Sequence, residues 1–141
     1  MKRQETLPNG TNLRSGARAL SFQKDTPSTG LEFNGRRMRV MSTDATGVVS
    51  SDTILVFEQI GKVVSARYRG GSIVDGYLIG LVDGDTLQFR YVQVDDQGNL
   101  DAGVSTGTIE CMADGRLRLI ERFRWLTRPG EGTNVFEEIL P

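Results

Sequence analysis

The chain of 141 residues contains no histidine and one cysteine, Cys111, and these shortages limit its chemistry. Without histidine it cannot build a Ser-His or Cys-His nucleophilic pair, or the usual zinc and haem ligand sets. One cysteine cannot form an intrachain disulfide, which excludes a disulfide-built secreted domain. We therefore expect no cofactor and no metal site.

Long apolar runs and a strong charge imbalance are also missing. No stretch of 18 apolar residues is present, so no membrane-spanning helix is expected. Met1, Lys2 and Arg3 are followed by polar residues rather than by the apolar core of a secretory signal. The net charge of −1 gives no general attraction for nucleic acid or acidic membranes. We expect a cytoplasmic protein that binds neither.

Residues 1–32 differ in composition from the rest of the chain. Turn-forming residues are dense there and apolar residues are sparse, which argues against regular structure. We predict an irregular or flexible N-terminal arm over residues 1–32 and a single β-barrel domain over residues 33–141.

From residue 34 onward, short strand-like runs alternate with turn signals. The eight runs are 36–42, 53–59, 62–69, 72–82, 86–94, 100–112, 116–127 and 133–140. Most connections are two to five residues long, too short for parallel crossovers, so consecutive strands must be antiparallel neighbours. Eight strands in such a meander remove their edges by closing. We predict an all-β, eight-stranded antiparallel up-and-down barrel; an open sheet or a sandwich is the alternative.

The alternation of side chains predicts which residues face the interior. In the seventh run Leu117, Leu119, Phe123 and Trp125 share one face, and Glu121 is carried inward with them. A carboxylate among such residues is costly unless it is paired, hydrogen-bonded or protonated. It indicates either the polar anchor of a ligand cavity or a structural network. The predicted ligand-binding residues are Tyr68, Tyr91, Gln93, Ser105, Glu121, Phe123 and Trp125.

Four glycines lie inside predicted strands, two each in the fourth and sixth runs. Gly76 and Gly80 flank Leu78, and Gly103 and Gly107 flank Ser105. Interior strand glycines mark bulges, bends or close approaches.

Two charged groups outside the predicted interior are candidate binding sites. Arginines of the seventh run, with Arg67, Arg69 and Arg90, could bind phosphates, but we favour a solvated exterior with partners such as Glu110, Glu137 and Glu138. The acidic loop at residues 95–101 lacks the spacing of a calcium loop and is interpreted as a polar hairpin.

Several motifs give the stretch from Phe33 to Ile139 a resemblance to a known family. They are Phe33-Asn34-Gly35-Arg36, Tyr68-Arg69-Gly70-Gly71, Gly76-x-Leu78-x-Gly80, Tyr91 with Gly98 and Gly103, Gly115-Arg116-Leu117, Glu121 with Trp125, and Glu137-Glu138. This pattern resembles a family of small bacterial calycin-like, lipocalin-like barrels, many labelled N-acetylglutamate synthase. The chain departs from it at Gln93, where a histidine is common, and at Phe123, which replaces a tryptophan.

Three functions follow from the residues and the resemblance. The first is a module that binds a small apolar or aromatic ligand inside the barrel. The second is a packed structural domain that recruits another protein or a second copy as a homodimer. The third, implied by the family label, is an acetyltransferase with Glu121 as general base, helped by Tyr91. We place the enzyme last, since the strand pattern lacks the mixed helices and strands of acetyltransferases.

Overall fold

The computed structural model describes residues 31–141, which form eight consecutive β-strands and no helix. In chain order they are β1 (Arg37–Ser42), β2 (Ile54–Ile60), β3 (Val63–Gly70), β4 (Ile73–Asp83), β5 (Thr86–Asp95), β6 (Leu100–Cys111), β7 (Leu117–Trp125) and β8 (Glu131–Glu138).

The eight strands close into a barrel. Each strand pairs antiparallel with the next one in the chain, and β8 pairs with β1. Glycines with positive φ, such as Gly61 and Gly84, lie in the tight hairpin turns. The predicted eight-stranded antiparallel meander barrel is therefore confirmed, with most strand limits within one or two residues of the predicted runs.

The structure covers the predicted barrel domain but only the last two residues of the predicted N-terminal arm. Residues 1–30 lie outside the described residues, so the arm over residues 1–32 stays a prediction. The strands themselves extend from Arg37 to Glu138, inside the predicted barrel domain of residues 33–141.

Alternate side chains along the strands point inward and fill the barrel interior, because successive side chains of a strand point to opposite faces. Along β5 Leu87, Phe89 and Tyr91 point inward, and along β7 every second residue from Leu117 to Trp125 is buried. One pole is closed by Phe33, whose ring centroid lies 5.0 Å from that of Phe57. The other pole is crossed by residues 43–53, the segment that joins β1 to β2.

Two glycines let large side chains cross the inner wall. Tyr68 is the register partner of Gly76, which is in turn the partner of Gln93 on β5. A Cβ at Gly76 would lie 2.3 Å from the Tyr68 ring, so the ring passes directly over the glycine. Tyr91, Gly103 and Trp125 repeat this arrangement across β5, β6 and β7. Of the three alternatives for an interior strand glycine, a bulge, a bend or a close approach, Gly76 and Gly103 show the close approach.

Substituting Gly76→Ala is expected to destabilise the protein by about 1–3 kcal/mol, since the added methyl overpacks the wall against Tyr68. Urea unfolding measures the change. In a Tyr68→Ala background the same substitution should cost much less, because the clashing ring is gone. An equal cost in both backgrounds would show that the ring is not the obstacle.

Candidate functional site

A cavity of about 30 Å³ lies inside the barrel, beneath the segment that joins β1 to β2. That volume holds about two water molecules. Its wall combines aromatic and aliphatic side chains with three polar ones, and the lining residues are Gly47, Val48, Val49, Leu55, Tyr68, Leu78, Phe89, Tyr91, Gln93, Glu121, Phe123, Trp125, Asn134 and Phe136.

Glu121 is the charged group of this wall, and it is 4% exposed. The Ser105 hydroxyl donates to Glu121 Oε2 at 2.5 Å, and Asn134 Nδ2 donates to Oε1 at 2.9 Å. Asn134 is the direct cross-strand partner of Glu121. Burial raises the pKa of the Glu121 carboxyl, and the two donated hydrogen bonds oppose that rise only in part.

Two buried polar atoms beside Glu121 have no partner within hydrogen-bond geometry: Tyr91 Oη and Asn134 Oδ1. Ser105 lies near the Tyr91 hydroxyl; its proton is donated to Glu121, and its oxygen can still accept one. Burial, and secondarily the charge of Glu121, raises the pKa of Tyr91, so its phenol keeps its proton at neutral pH. The site therefore offers one free hydroxyl and one free carbonyl oxygen.

A second polar pair lies elsewhere on the same wall. Tyr68 Oη donates to Gln93 Oε1 at 2.9 Å, across Gly76. Burial, followed by the neighbouring charge of Glu121, raises the pKa of Tyr68. This pair satisfies its own hydrogen bond, so it contributes shape and polarity rather than a free group.

Aromatic rings and one backbone segment complete the enclosure. The Trp125 ring meets Tyr91 edge-on at 5.3 Å and Phe123 at 6.0 Å between centroids. Trp125 Nε1 donates to the carbonyl oxygen of Thr46 at 2.9 Å, and Ser72 Oγ donates to that of Val48 at 3.2 Å. Residues 43–53 thus form a roof that is tied to the barrel by side-chain hydrogen bonds.

The structure brings the predicted ligand-binding residues together. Six of them line the cavity, and the seventh, Ser105, holds Glu121 from the adjacent strand. The predicted partnership between Tyr91 and Glu121 is not a hydrogen bond; Ser105 and Asn134 take that role. Asn134 was not among the predicted site residues, although its alternation with Phe136 in the last strand signals an inward position. The roof was not predicted either, because it lies between strands and has no periodicity.

The described residues contain neither a metal-binding cluster nor a spanning helix. Over residues 31–141 no three His, Cys, Asp or Glu side chains gather so as to hold a metal ion. In the same range no helix is long and apolar enough to cross a membrane. In the acidic hairpin loop, Asp95 Oδ1 accepts hydrogen bonds from the backbone amides of Gln97 and Asn99.

The family follows from comparison with known proteins. Residues 31–139 match a family model described as an Avidin-like protein. The match covers more than half of the chain, and the structure shows the closed eight-stranded barrel of a calycin-like protein. The chain belongs to this Avidin-like family. No curated protein and no solved structure matches it.

Replacing the buried carboxyl by an amide, Glu121→Gln, is expected to stabilise the protein at neutral and higher pH. Because the pKa of Glu121 is raised in the folded state, its contribution to stability is full below the ordinary value of 4.5 and is lost as pH rises through the folded pKa. The amide has no charge to desolvate. Urea unfolding between pH 4 and 9 should show the advantage of the variant growing with pH.

The exposed Glu110→Gln variant is the control and should show no such growth. Parallel stability profiles for wild type and Glu121→Gln would contradict a raised pKa at this site.

Proposed function

We propose that the barrel binds one small ligand in its interior, with an apolar or aromatic body and a polar head. The head lies against Tyr91, Asn134 and Glu121, and the body packs on Phe123 and Trp125. Small-ligand binding is typical of avidin-like barrels, which supports the proposal. An interior of eight strands is also wide enough for one small ligand.

The observation that carries the proposal is the pair of partnerless buried atoms, Tyr91 Oη and Asn134 Oδ1, beside a buried carboxyl. Buried polar groups in native proteins almost always have partners, and an exception needs an explanation. Both atoms line the cavity, so whatever fills it, water or a polar group of a ligand, supplies their partners. A ligand that brings one donor for Asn134 and one donor or acceptor for Tyr91 satisfies both.

The cavity is smaller than the pocket that such a ligand needs. Pockets for drug-sized ligands measure about 300–1,000 Å³, whereas this one measures about 30 Å³. The roof must therefore move outward when the ligand enters. Gly47, Val48 and Val49 form its inner surface, and the hydrogen bonds of Thr46 and Val48 are what the ligand has to displace.

The acetyltransferase alternative has less support. Both Glu121 oxygens already accept hydrogen bonds, and the carboxyl is enclosed. The sequence Arg67-Tyr68-Arg69-Gly70-Gly71-Ser72 nearly matches the pyrophosphate-binding loop of acyl-CoA acetyltransferases, but it lies at a hairpin between β3 and β4, where no helix N-terminus can bind a phosphate. The activity in the family label stays a prediction.

Native mass spectrometry of the protein as purified tests the proposal. We expect one bound small molecule per chain, seen as a mass difference that disappears on denaturation. Tyr91→Phe should lower the bound fraction about tenfold, since it removes a hydrogen-bonding hydroxyl. The matched control Tyr77→Phe removes an exposed hydroxyl of the outer surface and should bind as wild type does. A clean ligand-free mass would favour the packed domain instead.

A second copy of the chain is the proposed protein partner. The outer face of β4 and β5 carries exposed Tyr77, Ile79, Leu81, Val92 and Val94, and Tyr77 and Val92 are register partners. Contiguous apolar patches of this kind mark interaction sites. The exposed ion pair of Arg67 and Asp75 beside the patch offers both charge signs, which suits an identical partner.

Sedimentation velocity should show a dimer that Ile79→Glu converts to a monomer, because the new carboxylate would be buried in the apolar contact. Met41→Glu places the same charge at a similarly exposed position on β1 and should leave the dimer intact. A wild-type monomer at all concentrations would contradict this partner.

A further inference from the structure

A groove of about 800 Å³ runs over the outer surface of β5 to β8, on the opposite side of the wall from the interior cavity. Strand register arranges its outward-facing residues in two cross-strand rows. The first row consists of Gln88, Thr106, Arg122 and Thr133. The second consists of Arg90, Val104, Arg124 and Glu131.

The first row consists of hydrogen-bond donors. Arg122 lies directly between Thr106 and Thr133, so two hydroxyl-bearing side chains flank its guanidinium group. Neither acidic nor apolar residues interrupt the row. A guanidinium between hydroxyl groups is a favourable arrangement for the oxygens of a phosphate group.

The second row places two more cations within reach. Arg90 and Arg124 flank Val104, and strand spacing separates their backbones by about 10 Å. Arg124 is two residues from Arg122, about 7 Å along β7. One phosphate group cannot contact three guanidinium groups that are spaced this far apart. The spacing therefore indicates a ligand with several anionic groups.

The arginines of residues 31–141 divide into those with a carboxylate partner and those without, and the three groove arginines, like Arg37 and Arg39 of β1, have none. Arg118, on the same strand, pairs with Glu137 at 2.9 Å and with Glu110 at 3.3 Å, and Arg67, Arg116 and Arg128 also have carboxylate partners. Within residues 31–141, no carboxylate oxygen lies within 4.0 Å of Arg90, Arg122 or Arg124. Glu131, the acidic residue of the groove, is the direct cross-strand partner of Arg124. The predicted solvated exterior with acidic partners holds for Arg118, which pairs with the predicted Glu110 and Glu137. Arg67, Arg69 and Arg116 pair with aspartates instead, and the groove arginines form no ion pair within residues 31–141.

We propose that this outer groove binds a small molecule that carries two or more phosphate groups. Its phosphates lie along Arg122, Arg124 and Arg90, and the hydroxyl groups of Thr106 and Thr133 donate to their oxygens. The net charge of the chain is −1, so the attraction is local to this surface. The groove lies on the outer surface of the wall whose inner surface lines the cavity, and Phe123 borders both.

Isothermal titration calorimetry with sodium tripolyphosphate tests the proposal, at low and at physiological ionic strength. We expect binding that weakens with salt, and a loss of about tenfold or more in Arg122→Gln. Thr106→Val leaves the charge unchanged and should weaken binding several-fold, because only a local hydroxyl is lost. A parallel titration with ATP identifies the source of the phosphates: tighter binding than tripolyphosphate indicates a nucleotide, and equal binding indicates the phosphates alone.

Arg37→Gln is the matched control. Arg37 is exposed on β1, away from the groove, and its replacement changes the net charge by the same amount as Arg122→Gln. It should leave affinity within about twofold of wild type. The proposal is overturned if tripolyphosphate does not bind at low ionic strength, or if Arg37→Gln weakens binding as much as Arg122→Gln does.

Discussion

The interior of the barrel is organised around one buried carboxyl group. Glu121 follows the inward face of β7, between Leu119 and Phe123, and is buried from bulk solvent there. A carboxyl in such surroundings needs donors, and Ser105 and Asn134 supply two. A carboxylate can accept more than two hydrogen bonds. The neighbouring void, the free Tyr91 hydroxyl and the free Asn134 carbonyl oxygen lie where further polar partners would be placed, which is why this end of the barrel has the features of a binding site.

The shape of the inner wall around the Glu121 carboxyl depends on glycines as much as on large side chains. Gly76 and Gly103 allow Tyr68 and Tyr91 to lie flat across the neighbouring strand and reach Gln93 and Trp125. Side chains at those two positions would clash with the rings and hold them away from the wall. The close contacts that stabilise the barrel and the shape of its interior therefore have the same cause.

Much of this arrangement could be predicted from the sequence, because strand alternation and short turns are local signals. They were sufficient for the meander, the barrel closure and the inward direction of Glu121, Phe123 and Trp125. The partners of Glu121 were harder to predict, because cross-strand register decides which polar residue faces it. Register depends on how two strands pair and cannot be inferred from the sequence of one strand alone. The roof over the cavity was missed for a different reason: residues 43–53 have no periodicity, and their position depends on bonds to Trp125 and Ser72 far along the chain. The unpaired arginines of the outer groove likewise depend on register rather than on composition.

The ionisation of Glu121 tests this account most directly. Carbon-13 NMR can follow the side-chain carboxyl signal of labelled glutamate as pH is raised, and the Glu121→Gln spectrum assigns the signal. The account predicts that the Glu121 carboxyl titrates above the ordinary value of 4.5, because burial disfavours its charged form. Titration at or below that value would mean that the carboxyl meets water or a cation, and would contradict an enclosed polar cluster inside the barrel.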